Sequence, residues 1–257
     1  MTSFTQKYSK QFFGAAIRVV TLALFLVVFG ASAALAQTKV YVANSSNNTV
    51  SVISAATNTI TATVPVGSAP VAIALTPNNA FAYVANASSN NVSVIDLATN
   101  TVAATVPVGT TPFAVAITPD GAFAYVVNLR SANVSVIDTA TNTVAATVSV
   151  GTFPIAVAIT PDGAFAYVVS QGTDNVSVID TATNTVTTTV PVGNGADAVA
   201  ISPDGAFAYV GNIITAPSTG GISVIDTATN TVVATVATSN QPISIAFTPN
   251  GDFAYVA

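Results

Sequence analysis

The chain has 257 residues, of which 51% are hydrophobic and only 6% are charged, with a formal net charge of −5. Val, Thr and Ala dominate, so the composition favours β-sheet over helix or disorder, and the absence of Cys excludes disulfides. After residue 36 the only basic residues are Lys39 and Arg130, against ten Asp. This excludes a nucleic-acid partner, because binding nucleic acid needs several cations to neutralise phosphates.

The first 36 residues differ in character from the rest. Three basic residues, Lys7, Lys10 and Arg18, precede an apolar run over residues 19–36 that ends in Ala-Leu-Ala before Gln37. This pattern predicts a secretory signal peptide over residues 1–36 and export to the periplasm, cell surface or extracellular space. After cleavage no membrane span is expected. An uncleaved anchor is the alternative, since the run is just long enough to cross a bilayer.

A repeat occupies residues 37–257. Tyrosines recur in one sequence context at a spacing of 42 residues, with a final spacing of 46, namely Tyr41, Tyr83, Tyr125, Tyr167, Tyr209 and Tyr255. Units therefore start near residues 41, 83, 125, 167 and 209, with a partial unit at 255. A fixed period of this length predicts an array of identical supersecondary units.

One unit, residues 112–150, divides into four short apolar segments, PFAVAI, AFAYVV, NVSVID and TVAATVSV. Their length and alternation predict a four-stranded antiparallel meander, with Val144, Ala146 and Val148 on one face of the last strand. The connection TPDG has the residue order of a tight turn, and DTATN offers side chains that bond to nearby amides. We also expect the repeated Phe and Tyr positions to be buried. Because such a sheet is apolar on both faces, copies must stack radially, which predicts an all-β propeller.

The strings YVANSSNNTVSVISAATNTITATVPVG, PDGAFAYVVN and VSVIDTATNTVAATV resemble the YVTN-type β-propeller repeat family. The match covers nearly all of residues 39–257. The resemblance implies blades in the style of surface-layer-like or secreted bacterial or archaeal propellers, with the PFAVAI-type strand nearest the axis. It implies no reaction, because the family is defined by its scaffold.

The number of blades is left open by the sequence. The segmentation gives three strands before the first complete unit, four complete units, and two strands after them, which is one strand more than a closed ring of five blades needs. We expect either an open arc, as part of a longer ring such as one of seven blades, or a closed five-bladed ring. An open arc exposes blade edges, through which self-association is expected.

The repeat copies differ on one side of the meander only. The turns TPDG and DTATN lie together on what we call the turn face, and they are nearly constant. The turns between the second and third strands, together with the connections between units, form the crossover face, and they vary. Variable loops on a rigid scaffold are where binding sites arise. The candidate contact residues are Arg130, Phe153, Asp174, Asp197, Ile213 and Ile214, with Arg130 and Asp174 expected to form a weak surface ion pair.

Catalytic residues are nearly absent. There is no His, Cys or Glu, and seven of the ten Asp occupy repeat positions. No general base near neutrality, nucleophilic dyad or metal-ligand spacing follows from this set, so no catalysis, metal or cofactor is expected. The predicted function is a secreted or cell-surface scaffold that binds a protein or polysaccharide at the cell envelope. A lactonase-like propeller enzyme and a structural surface-layer component are the alternatives.

Overall fold

The computed structural model describes residues 38–213, 220–238 and 240–257, and its regular structure there is entirely β-strand. The predicted signal peptide and the candidate contact residue Ile214 lie outside these residues. Within the described ranges, no helix is long and apolar enough to cross a bilayer.

The strands form six consecutive sheets, which we call blades 1–6. Blade 1 contains β1 (Lys39–Asn44), β2 (Thr49–Ser54) and β3 (Thr59–Pro65). Blade 2 contains β4 (Pro70–Leu75), β5 (Phe81–Asn86), β6 (Asn91–Asp96) and β7 (Thr101–Pro107). Blade 3 contains β8 (Pro112–Ile117), β9 (Phe123–Asn128), β10 (Asn133–Asp138) and β11 (Thr143–Ser149).

Blade 4 contains β12 (Pro154–Ile159), β13 (Phe165–Ser170), β14 (Asn175–Asp180) and β15 (Thr185–Pro191). Blade 5 contains β16 (Ala196–Ile201), β17 (Phe207–Asn212), β18 (Gly221–Asp226) and β19 (Thr231–Ala237). Blade 6 contains β20 (Ile245–Phe247) and β21 (Ala254–Val256). Blades 2–5 are antiparallel meanders in sequence order, as predicted.

The first strands of blades 2–5 pack against one another, whereas their fourth strands make few contacts between blades. This is the arrangement of a β-propeller, with the first strand innermost. No closed ring is present among the described residues: blade 1 is a three-stranded sheet, and β20 and β21 pair only with each other. The structure thus matches an all-β propeller of about five blades without ring closure.

Each of the four gaps among blades 1–5 holds one hydrophobic cluster. Between blades 2 and 3, for example, Tyr83, Val92 and Val94 of one sheet pack against a smaller surface on the next, formed by Ala124, Val126 and Ile137. The small Ala leaves room for the tyrosine ring, and the same pairing recurs between blades 3 and 4 and between blades 4 and 5. The predicted burial of the repeated tyrosine is therefore confirmed at Tyr83, Tyr125 and Tyr167 in blades 2–4, whereas Tyr41 and Tyr209 are half-buried.

Burial differs from the prediction in the last repeat and on the outermost strands. Tyr255 and Phe253 in blade 6 are 67% and 65% exposed, because no further described strands cover them. The internal Phe positions are half-buried and pack against the clusters between blades, so their predicted burial is met in part. Val144 on the outermost strand β11 is exposed, since the outer strands of neighbouring blades diverge and only the Val148 end of this strand reaches the core.

Candidate functional site

The polar groups of the turn face are used within the turns. In the TPDG turn of blade 3, the Thr118 hydroxyl and the Ala122 N–H both donate to Asp120 Oδ1, at 2.6 and 2.9 Å. Gly121 has a φ of 76°, which only glycine adopts without strain at this turn. The bonds from Thr118 and Ala122 hold the pKa of the Asp120 carboxyl below its ordinary value, and Asp162 and Asp204 are held in the same way.

The second turn of this face is closed by the same means and is tied to the first. Asp138 Oδ1 accepts bonds from the N–H groups of Ala140 and Thr141, at 2.9 and 3.0 Å. The Thr139 hydroxyl then donates to the carbonyl of Gly121 in the neighbouring turn, at 2.6 Å. The constant sequence of this face is therefore explained by folding.

Tyrosine hydroxyls connect the turn face of one blade to the interior of the preceding one. Tyr125 of blade 3 donates to Asn184 Oδ1 in blade 4 at 2.7 Å, and Tyr83 and Tyr167 make equivalent bonds to Asn142 and Asn230. Each of these Asn residues has a positive φ, near 53°, which Asn tolerates better than most residues. Burial, with a smaller contribution from Asp180, raises the pKa of Tyr125 to about 12.

Side-chain hydrogen bonds also connect neighbouring loops on the crossover face, but fewer side chains take part. Asn48 and Asn90 reach across to the following crossover, where their Oδ1 atoms accept bonds from the N–H groups of Ala69 and Thr111, both at 2.8 Å. Asp174 occupies the corresponding position in blade 4, and its Oδ1 accepts a bond from Gly195 N–H at 2.6 Å. In blade 3 the position holds Ala132, which has no side-chain acceptor.

Under this face lies a layer of buried amides at the ends of the second strands. Asn128 Nδ2 donates to Asn133 Oδ1 and Ser135 Oγ, both at 2.9 Å, and Asn86 does the same in blade 2. In blade 4 the position is Ser170, which is too short to make these bonds. Its Oγ and the Asn175 Oδ1 atom are buried without a hydrogen-bond partner in the described structure.

Two predicted contact residues are placed differently from expectation. The predicted ion pair between Arg130 and Asp174 is absent from the described structure, and the Asp174 carboxylate accepts a bond from the Gly195 amide. Arg130 is exposed, and its backbone N–H donates to Thr110 O at 3.1 Å. Asp174 therefore holds a crossover in place, whereas the Arg130 side chain remains at the surface.

The candidate contact residue Ile213 is half-buried. Its backbone N–H donates to Gly195 O at 2.8 Å, so Gly195 is held from two sides, by Asp174 and by Ile213. A pocket of about 220 Å³ lies near this corner, lined by Pro191, Val192, Gly193, Asn212, Gly221, Ser223, Val232 and Thr235. One of its lining residues, Gly221, occupies the position at which the other four-stranded blades have an Asn.

Phe153 is a large apolar side chain held at the surface. It is 55% exposed, and its φ of 50° is unusual for a bulky residue. The backbone carbonyl of Phe153 accepts a bond from Gln171 N–H at 3.0 Å. A Cβ on Gly172 would lie 2.6 Å from the Phe153 ring, so the glycine is what lets the ring rest on this turn.

Asp197 lies at a β-bulge at the crossover end of the innermost strand β16. Its side chain is half-buried, and its Oδ1 accepts a bond from Gln171 Nε2 at 3.1 Å. Burial raises the pKa of the Asp197 carboxyl above its ordinary value. Bulges of this kind redirect a side chain out of the sheet pattern. Phe153 and Asp197 are thus brought to the same short segment, Gln171–Gly172, which links two of the predicted residues.

Gln171 was not among the predicted residues. The available signal was its distance in sequence from Asp197, because residues 26 positions apart meet across neighbouring blades at this point. The corresponding pair in the preceding copy is Leu129 and Ile155, which belong to one hydrophobic cluster. Comparing both positions together between copies shows that the apolar pair Leu129 and Ile155 is replaced by the polar pair Gln171 and Asp197.

Comparisons with known proteins agree on the fold. A family described as a YNCE-like β-propeller matches residues 14–128, and a family described as a cytochrome D1 haem domain matches residues 125–250. Each covers less than half of the chain. No curated protein matches the sequence.

Two solved structures are similar to the chain. The hydrazine synthase of Kuenenia stuttgartiensis has 27% identity and a TM-score of 0.75, covering 85% of this chain and 70% of that one. A functionally unknown protein from Desulfotomaculum acetoxidans DSM 771 has 22% identity and a TM-score of 0.73, covering 84% of this chain and 71% of that one. The chain therefore has a β-propeller fold shared with these proteins.

Few described residues could ligate a haem of the kind that one matching description names. Axial ligands to haem iron are His, Cys, Met or Tyr. The chain has no His or Cys, and its single Met is Met1. The three fully buried tyrosines, Tyr83, Tyr125 and Tyr167, already donate their hydroxyls to Asn side chains between blades. Among the described residues, no three acidic side chains are grouped as metal ligands would be.

Proposed function

We propose that the chain is an exported binding scaffold of the YVTN-repeat type, which engages a protein or polysaccharide of the cell envelope through its crossover face and catalyses no reaction. One observation carries this proposal. On the turn face the repeated polar side chains make hydrogen bonds that hold the turns together. On the crossover face several of the residues that vary between copies make no such bonds within their own loop. Arg130, Phe153 and Asp197 are all exposed or half-buried there.

The distribution of charge supports binding rather than catalysis. Six Asp carboxyls have pKa values held below the ordinary value by turn hydrogen bonds, namely Asp96, Asp120, Asp162, Asp180, Asp204 and Asp226. Such groups are poor proton acceptors near neutral pH. Asp197 is the only described Asp whose pKa is raised, and a single carboxyl with an amide neighbour lacks the second group that acid–base catalysis needs.

The test separates the two faces. Replacing residues 213–220 by the QGTD of residues 171–174 restores the 42-residue spacing on the crossover face. We expect this variant to keep the urea midpoint of the wild type within a few tenths molar, since it reproduces the loop of blade 4, and to bind less isolated envelope polysaccharide or envelope protein in a sedimentation assay.

The matched control changes the other face. Asp120→Asn combined with Asp162→Asn imitates Asn78, which occupies the same turn position in blade 2 and makes the same bonds at 2.7 and 3.0 Å. This control should bind as the wild type does. The proposal fails if the loop replacement binds as the wild type does, and loss of binding by the control would place the functional surface on the turn face.

A further inference from the structure

Residues 26 positions apart close the crevice between neighbouring blades at the crossover end. Between blades 3 and 4 this pair is Leu129 and Ile155, and both side chains join a hydrophobic cluster. Between blades 4 and 5 the pair is Gln171 and Asp197, joined by a hydrogen bond of 3.1 Å. The same scaffold therefore holds an apolar contact in one crevice and a carboxylate in the next.

The polar pair is the less stable choice for the fold. A carboxylate moved partly out of water loses hydration, and a neutral amide compensates for this less well than a cation would. In the described structure the only side-chain hydrogen bond to the Asp197 carboxylate comes from Gln171, and it reaches Oδ1. The preceding crevice is closed by the apolar pair Leu129 and Ile155, so closing the crevice does not require a carboxylate at position 197.

The surroundings of Asp197 add an aromatic surface. The Phe153 ring, 55% exposed, rests on Gly172, the residue next to Gln171. Its backbone is held in the left-handed region at a φ of 50° and is bonded to the same turn. The ring and the carboxylate thus contact two consecutive residues, Gly172 and Gln171. An exposed aromatic ring and a partly desolvated carboxylate are the two kinds of group that recognise an organic cation, through the ring face and through charge.

We propose that the corner formed by Asp197, Gln171 and Phe153 binds an organic ammonium ion, with the charge at Asp197 and the apolar part of the ligand against Phe153. This inference rests on the proposed binding function of the crossover face and assigns it a ligand chemistry. After residue 36 the chain has only two basic residues against ten Asp, and this excess of negative charge favours a cationic ligand. A calcium ion fits less well, because it requires six to eight oxygen ligands and no three acidic side chains are grouped among the described residues.

The test uses benzylammonium as the probe and benzyl alcohol as its uncharged counterpart, titrated into the full chain and followed by NMR. Benzylammonium should shift the side-chain amide signals of Gln171 and the backbone signal of Gly172. It should bind about tenfold more tightly than benzyl alcohol, the difference expected for one charge-assisted bond. Asp197→Asn should remove that difference, and Gln171→Leu should weaken both probes.

Asp174→Asn is the matched control. It removes one negative charge from the same face, and Asn occupies this position in blades 1 and 2 with the same backbone conformation and the same hydrogen bond. It should leave benzylammonium binding unchanged. Equal binding of the two probes, or equal weakening by Asp174→Asn and Asp197→Asn, overturns the inference, since either result means general attraction to an acidic surface.

The two proposals fail in different ways. If the loop replacement at residues 213–220 leaves envelope binding intact while the Asp197-dependent preference for benzylammonium persists, the proposed function is wrong and the cation site stands. If the loop replacement abolishes envelope binding while benzylammonium shows no preference over benzyl alcohol, the cation site is wrong and the proposed function stands.

Discussion

The turn face and the crossover face lie at opposite ends of the same strands, but their polar side chains form hydrogen bonds of different kinds. On the turn face, Asp120 and Asp138 each bind two donors inside their own turn, and the two turns are joined by Thr139. On the crossover face the bonds reach between blades and are present in some copies only. A face whose every polar group is needed for folding cannot vary, whereas one that is only partly occupied leaves residues available for other use.

The largest expected effect tests the attachment of the turn face to the core. Tyr125→Ala should lower the free energy of unfolding by about 3–5 kcal/mol, because a fully buried ring is lost. Tyr125→Phe should cost about 1–3 kcal/mol by leaving Asn184 Oδ1 without its donor. Urea unfolding measures both. The exposed Tyr255 is the control, and Tyr255→Ala should change stability by less than about 0.5 kcal/mol.

The next effect concerns a turn carboxylate. Asp120→Ala should cost about 1–2 kcal/mol at neutral pH, because two turn hydrogen bonds are lost, while Asp120→Asn should cost little. The pKa of Asp120 is lower in the folded protein, so its contribution is present above the unfolded pKa and is lost as the pH falls through the folded value. The difference in urea midpoint between wild type and Asp120→Ala should therefore become smaller from neutral to acid pH, and a constant difference would contradict this assignment.

The crossover face should instead accept a stabilising change. Ser170→Asn restores the amide found in blades 2 and 3 and gives the buried Asn175 Oδ1 a donor. Because the Oδ1 atoms of Asn86 and Asn128 are themselves buried without a partner in the described structure, we expect a gain below about 1 kcal/mol. Thermal unfolding measures it. Asn128→Ser, the reverse change in blade 3, should destabilise by a similar amount. If both variants destabilise, blade 4 has adapted to the shorter side chain.

The smallest effect concerns Asp197. Because burial raises its pKa in the folded state, the ionised carboxylate opposes folding at neutral pH, and Asp197→Asn should raise the Tm by less than Ser170→Asn does. The stability associated with the protonated form is fully present below the unfolded pKa and is lost as the pH rises through the folded value. The Tm difference between Asp197→Asn and wild type should therefore disappear in acid. A difference that grows in acid would exclude this explanation.

The fold could be predicted from the sequence because each copy repeats the same local instructions. Turn residues such as Asp120 and Gly121 act within four or five positions, so their pattern in the chain already contains their partners. Val144 shows the limit of this reading, because alternation marks an apolar face without saying whether a neighbouring sheet covers it.

The candidate site could be predicted only in part. The comparison of copies directed attention to Asp174 and Asp197, but their partners lie on other blades, at separations of 21 and 26 residues. Whether a side chain binds a backbone amide, as Asp174 does, or meets another side chain, as Asp197 does, depends on how two blades are placed against each other. The sequence of one unit does not contain that information.

The tyrosine bonds between blades also bear on the order in which the molecule assembles during synthesis. Tyr83 and Tyr125 each bind an Asn that lies 59 residues further along the chain, and Tyr167 binds one that lies 63 residues further. A ribosome must therefore deliver most of the next blade before the preceding one can make its last bond. If assembly proceeds from the amino terminus, each blade completes its hydrogen bonds only after most of the next blade has been synthesised. Until then, the apolar face of the most recently formed blade is uncovered and is the part of the nascent chain most exposed to mispairing.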